Sequence, residues 1–167
     1  MFESFKKSMM AEFEMFQMKD CNPVNTPSEF GMKLNKDNGG KKVDDTLYKQ
    51  IVGSLMYLTT TRPDIMHVVS VISRYMECPT EIHLLVAKRI FRYLQGTKEF
   101  GLFYKNGEKS IYLALDISFL EDLTNDGVIN LIYCRSEDQI ADILTKSLKF
   151  PTFQKFRKLL GVCTSNI

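Results

Sequence analysis

Two pairs of acidic residues stand at spacings that suit metal chemistry. Asp44 and Asp45 are adjacent, and Asp138 and Asp142 are four apart. Adjacent aspartates serve a polymerase when a tight strand turn presents both to two divalent ions. Here they follow Gly39-Gly40-Lys41-Lys42 and open an expected helix. The N-terminal dipole of a helix favours acids, so a capping role is expected instead. Asp138 and Asp142 fall on one face of another expected helix. Two carboxylates there could share Mg²⁺, but two-metal hydrolysis needs further carboxylates on nearby strands. The expected strand before them, Val128 to Cys134, carries none. His67 and His83 lie 16 positions apart, with no G-x-S-x-G nucleophile motif. They read as surface or internally satisfied side chains rather than general bases. Cys21, Cys78, Cys134 and Cys163 form no C-x-x-C pair and lie at no zinc spacing from either histidine. They read as reduced thiols, mostly buried as small apolar groups. No phosphate loop, dinucleotide fingerprint or H-E-x-x-H is present. No metal site is expected.

One cationic group remains. Lys88 and Arg92 are four apart on the polar side of an expected helix, with Arg89 on its flank. They lie in the basic part of the chain. Residues 1–40 carry five basic and six acidic side chains, residues 41–110 eleven and seven, and residues 111–167 six and seven. An anionic partner would meet the middle third. An overall charge of +2 is too small to announce nucleic-acid binding by itself. The plainer reading of this face is the solvated side of an amphipathic helix.

The elements that carry these residues follow from periodicity. Residues 1–18 read as a short amphipathic helix, with Phe2, Phe5, Met9, Phe13 and Phe16 at spacings of three and four. Pro23 and Pro27 break it, and residues 19–45 read as an extended, exposed linker. A helix from about Asp45 places Leu47, Ile51, Leu55 and Leu58 in one stripe, with Gly53 and Ser54 expected to admit a close neighbour. Pro63 opens the next helix, which buries Ile65, Val68, Val69, Ile72 and Met76. Thr80 caps a third, 81–95, with a core face of Ile82, Val86, Ile90, Tyr93 and Leu94. Phe100–Tyr104 and Ile111–Leu115 read as a hairpin around Asn106-Gly107. Residues 116–125 are a possible helix, and Val128–Cys134 is a strand. Ser136-Glu137-Asp138-Gln139 fits a capping box for a helix burying Ile140, Ile143, Leu144 and Leu148. A last helix carries Phe153, Phe156, Leu159 and Leu160 to Gly161.

Composition sets the class. The chain has 167 residues, 44% apolar and 25% charged, which is ordinary for one soluble globular domain or a domain with part of another. No apolar run approaches the ~18 residues of a membrane helix, and the opening residues have no apolar signal region. A membrane partner and secretion are therefore not expected. The fold class expected is α+β and predominantly helical.

Several long segments resemble the polyproteins of Ty1/copia-type retrotransposons. They are Cys21 to Pro27 (CNPVNTP), Tyr48 to Thr59 (YKQIVGSLMYLT), Thr61 to Ile65 (TRPDI) and Ala87 to Thr97 (AKRIFRYLQGT). Ser136 to Lys146 (SEDQIADILTK) resembles the last helix of that family's ribonuclease H domain. In such polyproteins the earlier segments follow the reverse transcriptase palm and lead into ribonuclease H. The resemblance implies four regions. Residues 1–18 are a vestige of the palm end, 19–45 a linker, 46–115 a connection-like unit of three helices with a hairpin, and 116–167 a C-terminal remnant of ribonuclease H. The stretch from Met1 to Met15 is similar to the one after the polymerase's paired aspartates, so those aspartates are missing. Palm and thumb sequence is missing between Glu14 and Met18, and most of ribonuclease H between Leu115 and Asp116. Of the four acids of an intact ribonuclease H, only Asp142 has a counterpart.

This implies a non-catalytic remnant of a copia-type polyprotein, not an enzyme, with no cofactor, although intact relatives use Mg²⁺. The alternative is a weak, sequence-independent module binding RNA–DNA hybrid or single-stranded nucleic acid through Lys88, Arg89 and Arg92. A second alternative is an unrelated interaction or effector protein. No small-molecule substrate is expected, and the compartment expected is intracellular, cytoplasmic or nuclear.

Overall fold

A computed structural model of the chain describes residues 2–35, 40–103, 125, 127 and 134–164. The described chain is predominantly helical, with one two-stranded antiparallel sheet. Its elements are α1 (Phe2–Met15), α2 (Asp45–Leu58), α3 (Met66–Ser73), α4 (Glu81–Gly96), β1 (Phe100–Leu102), α5 (Asp142–Thr145), α6 (Phe150–Leu159) and β2 (Val162–Thr164). A 3₁₀ turn, Pro63–Ile65, leads into α3.

Helix α1 buries Met9 and Phe13 completely. Phe13 meets Phe91 of α4 edge-on, with ring centroids 5.6 Å apart, and Phe16 lies 5.5 Å from the same ring. The helix ends in a Schellman turn: the Met18 amide donates to the Phe13 carbonyl at 2.8 Å and the Gln17 amide to that of Glu14 at 3.2 Å. Gln17 takes the left-handed conformation this turn needs, at φ 55°, where glycine is the usual residue.

Asp44 caps α2, as its position suggests, accepting the Thr46 amide at 2.8 Å and the Leu47 amide at 3.1 Å. Asp45 pairs with Lys49 one turn on. The buried stripe of α2 is Tyr48, Ile51, Val52, Leu55 and Leu58. Leu47, expected in it, is exposed, and Tyr48 takes its place by donating its hydroxyl to the Ile72 carbonyl at 2.9 Å. Burial raises the pKa of that phenol and keeps it a donor. Gly53 is exposed, and a Cβ added there would meet nothing within 4 Å. The expectation of a close neighbour at Gly53 fails because the helix turns that side to solvent.

Helices α2, α3 and α4 pack against one another, α5 closes against α3 and its 3₁₀ turn, and α6 packs on α5 and β2. Ile65, Val68, Val69 and Ile72 are buried as the periodicity predicts, whereas Met76, expected with them, lies past the end of α3 and is half-buried. On α4 the buried set is His83, Val86, Ala87, Ile90, Phe91, Tyr93 and Leu94. Ile82 is 41% exposed, against expectation, and His83 occupies the buried position beside it. The core needed on that side is claimed by a ring that also forms hydrogen bonds, which hydropathy does not register.

Strand β1 pairs antiparallel with β2, matching Phe100 with Thr164 and Leu102 with Val162. The partner expected from sequence, 111–115, its turn at Asn106-Gly107, the helix at 116–125 and the strand Val128–Cys134 lie outside the described residues, except isolated positions. Gly161 precedes β2 at φ +87°, and a Cβ there would stand 2.6 Å from the Phe103 carbonyl oxygen. Only glycine fits.

The helix predicted from Ser136 does not form at that point. Residues 136–138 are turns, and the helix is the four-residue α5. Amide bonds run three residues back, from Asp138 to Arg135, Asp142 to Gln139 and Leu144 to Ala141. This tighter winding still brings Ile143 into the core, with Ile140, Leu144 and Leu148 packed against it.

The stretch 19–35 forms no helix or strand and turns at 19–20 and 30–31, and it is anchored to the rest of the molecule. Pro27 and Ser28 are buried. The Val24 amide donates to the Arg92 carbonyl at 3.3 Å, and Gln95 donates to the Lys19 carbonyl at 2.8 Å. Tyr75 donates to the Leu34 carbonyl at 2.7 Å. Prolines exclude helix but say nothing about docking, so the sequence pattern missed these anchors.

Candidate functional site

The three cations of α4 do not form one open patch. Lys88 is exposed. Arg89 is turned onto the 19–35 stretch, donating to Glu29 at 3.1 Å and to the Thr26 hydroxyl at 3.3 Å. Arg92 donates through Nε to the Asn22 carbonyl at 2.8 Å. Helical spacing places the three side chains near one another, but two of them are held by residues 22–29 of the same chain.

A second polar group lies inside the molecule. Arg62 and Asp64, both with fully buried side chains, flank Pro63 at the mouth of the 3₁₀ turn. Arg62 grips Asp64 with two parallel bonds, Nε to Oδ1 at 2.9 Å and Nη2 to Oδ2 at 2.8 Å. Its remaining donors reach the end of α4, at the Thr97 carbonyl (3.0 Å) and hydroxyl (2.8 Å). Tyr93 donates a short bond to Asp64 Oδ2 and accepts one from Arg157 of α6 at 3.1 Å. Burial opposes the charge on Arg62, but Asp64 and then Tyr93 outweigh it and raise its pKa. Burial first, and then the Asp64 charge, raise the Tyr93 pKa and keep it protonated. Each of the three guanidinium nitrogens of Arg62 has an acceptor, which favours burying the cation. The group ties together the 3₁₀ turn, α4 and α6. Its carboxylate and cation are both occupied, so it is architecture and not a reactive centre. Sequence reasoning opened a helix at Pro63 but missed the pair that flanks it, because an Arg-Pro-Asp spacing does not announce burial.

The acids singled out for metal chemistry are dispersed. Asp138 sits in a turn and pairs with Lys155 at 2.7 Å. Asp142 stands at the start of α5 and pairs with Lys146 at 2.9 Å. They do not share the helix face expected of them, since winding before α5 is not α-helical. Among the described residues no three His, Cys, Asp or Glu side chains are grouped to hold a metal ion. The recess lined by Ser28, Asp64, His67, Lys146 and Phe153 has about 10 Å³ of room, the space of one water. His67 is half-buried, and burial and then the Arg74 charge lower its pKa. Cys21 and Cys163 are half-buried, whereas Cys78 and Cys134 are exposed, so the expected burial of the cysteines holds only in part. Among the described residues no helix is long and apolar enough to cross a membrane.

Comparison with known proteins explains the recurring segments. The chain is 49% identical over 90 residues to the retrovirus-related Pol polyprotein from transposon RE1 of Arabidopsis thaliana. This chain is homologous to retrotransposon Pol polyproteins. It is 46% identical over 90 residues to the Pol polyprotein from transposon RE2 of the same plant. It is 41% identical over 101 residues to that from transposon TNT 1-94 of Nicotiana tabacum. These matches cover 54%, 54% and 56% of this chain, and 6%, 6% and 8% of those Pol polyproteins. The chain therefore spans a small part of the length of its Pol relatives. No protein-family model matches it, and no solved structure does.

Proposed function

We propose that the chain is a non-catalytic remnant of a copia-type retrotransposon polyprotein, from the region between the reverse transcriptase palm and the end of ribonuclease H. The setting of Asp142 carries this reading. It is the single position that matches a ribonuclease H acid, and its carboxylate is answered by Lys146 at 2.9 Å. Two-metal hydrolysis requires several carboxylates around ions about 4 Å apart, clamping both the attacking and the leaving oxygen. One carboxylate paired with a lysine does neither. The four regions 1–18, 19–45, 46–115 and 116–167 belong to the same reading, as does an intracellular, cytoplasmic or nuclear place. No cofactor and no small-molecule substrate enter it. The purified chain is expected to incorporate no nucleotide on a primed RNA template, and to leave the RNA of an RNA–DNA hybrid uncut in Mg²⁺ or Mn²⁺. Cleavage that disappears in Asp142→Asn would overturn this reading. The alternative, weak sequence-independent binding of hybrid or single-stranded nucleic acid, is favoured only by the exposure of Lys88.

A further inference from the structure

His83 is completely buried one turn into α4. The Thr80 amide donates to its Nδ1 at 3.0 Å, and the Thr80 hydroxyl lies 3.1 Å from the same atom. The usual capping box has Ser or Thr at the N-cap and Glu or Gln three residues later, whose side chain returns to the N-cap amide. Here a histidine fills the position of the Glu or Gln. Nδ1 can accept the Thr80 amide only with its lone pair free, so the ring is neutral with its proton on Nε2. Among the described residues Nε2 has no partner in hydrogen-bond geometry. The ring stacks on Tyr75 at 4.0 Å, and Tyr75 in turn holds the Leu34 carbonyl.

The same junction anchors the approach to α2. The Glu81 amide donates to the Lys41 carbonyl at 3.0 Å and the Val43 amide to the Pro79 carbonyl at 3.1 Å. A strap of residues 41–43 is thereby laid across the start of α4.

We propose that His83 is an acid-sensitive latch, which closes the α4 cap and holds the 41–43 strap while neutral and releases both when protonated. A proton on Nδ1 replaces the lone pair with an N–H that faces the Thr80 amide donor-to-donor. The hydroxyl of Thr80 can turn to accept it, but the amide loses its partner. The imidazolium is also left in a fully buried site. Of the described titratable groups around it, Tyr75 stacks on the ring. Lys41 and Glu81 pair at 3.9 Å with exposed side chains, and Lys42 is exposed. Among the described residues no carboxylate is bonded to the ring to stabilise its charge. Desolvation lowers the His83 pKa, with the Asn35 backbone partly opposing. A histidine with a lowered folded-state pKa contributes stability that is intact above its unfolded value, about 6.5. That stability is lost as pH falls from there toward the folded-state value.

Native-state hydrogen exchange read at the Val43, Thr80 and Glu81 amides tests this, each rate being divided by its intrinsic rate. Between pH 6.5 and 5.5 the opening constant of the wild type should rise, by up to about tenfold per pH unit. In His83→Gln, which keeps a capping acceptor without a titrating ring, it should stay flat, while His67→Gln should behave as wild type. Equal acid loosening in wild type and His83→Gln would overturn the latch. Should His83→Gln fail to fold, the ring proton of His83 in the wild type decides by NMR titration. A midpoint below 6.5, with the Val43 amide shifting in step, supports the latch, and a midpoint at or above 6.5 overturns it.

Discussion

Arg62 shows how a charged residue becomes part of a core. Its guanidinium and the Asp64 carboxylate are both out of contact with solvent. Removing water from such a pair costs several kcal/mol per ion, and the bidentate geometry with the Thr97 and Tyr93 bonds offsets this. The pair is therefore worth little net, but breaking it strands a buried charge. Arg62→Met or Asp64→Asn is expected to destabilise the fold by about 3–5 kcal/mol, read from urea midpoints. Replacing both residues with apolar ones should cost clearly less than the sum of the two single changes. Additive losses would mean that the two side chains stabilise the fold independently.

Helix α4 serves two neighbours with one surface. Its buried side takes Phe13 of α1 and the Arg62 group, and its basic side holds residues 22–29 through Arg89 and Arg92. This bears directly on nucleic-acid binding. Three free cations would give a slope of log affinity against log salt near −2 to −3, at −0.7 to −0.9 for each phosphate neutralised. With only Lys88 open, a titration with labelled RNA–DNA hybrid is expected to give a slope near −1 or no binding at all. A slope near −3 that Lys88→Ala with Arg92→Ala abolishes would show that the arginines leave the 22–29 stretch to meet phosphate. Arg89→Ala should instead loosen the 22–29 stretch, with faster exchange at the Val24 amide.

At the scale of the molecule, the region resembling the palm end is integrated into the core and is not an appendage. Phe13 is fully buried against Phe91, and Met9 and Met18 belong to the same cluster. Phe13→Ala is expected to cost about 3–5 kcal/mol, as for other large-to-small core changes, with the loss appearing in α4 exchange as well as in α1. A loss confined to α1 would mean that the helix folds apart from the rest. The C-terminal end is likewise bound in: β2 pairs with β1, and Arg157 reaches Tyr93. One cluster spans α1 to α6 although the chain covers only 6–8% of its Pol relatives named above.

Local pattern by itself determined the helices α1 to α4, the Asp44 cap, the buried face of α3 and the break at Pro63. Each depends on residues within one or two turns, where periodicity and backbone chemistry act directly. The homology to Pol polyproteins was also legible, because long colinear segments carry it. Tertiary structure alone decided which side of α4 faces inward at Ile82 and His83, and where Arg89 and Arg92 spend their charge. It also turned Arg62 and Asp64 into a buried pair and gave β1 a partner about 60 residues away, with Gly101 opposite Cys163. These outcomes depend on groups distant in sequence. A guanidinium reads as solvent-facing until the fold supplies acceptors for it, and a helix face reads as free until another segment lies on it.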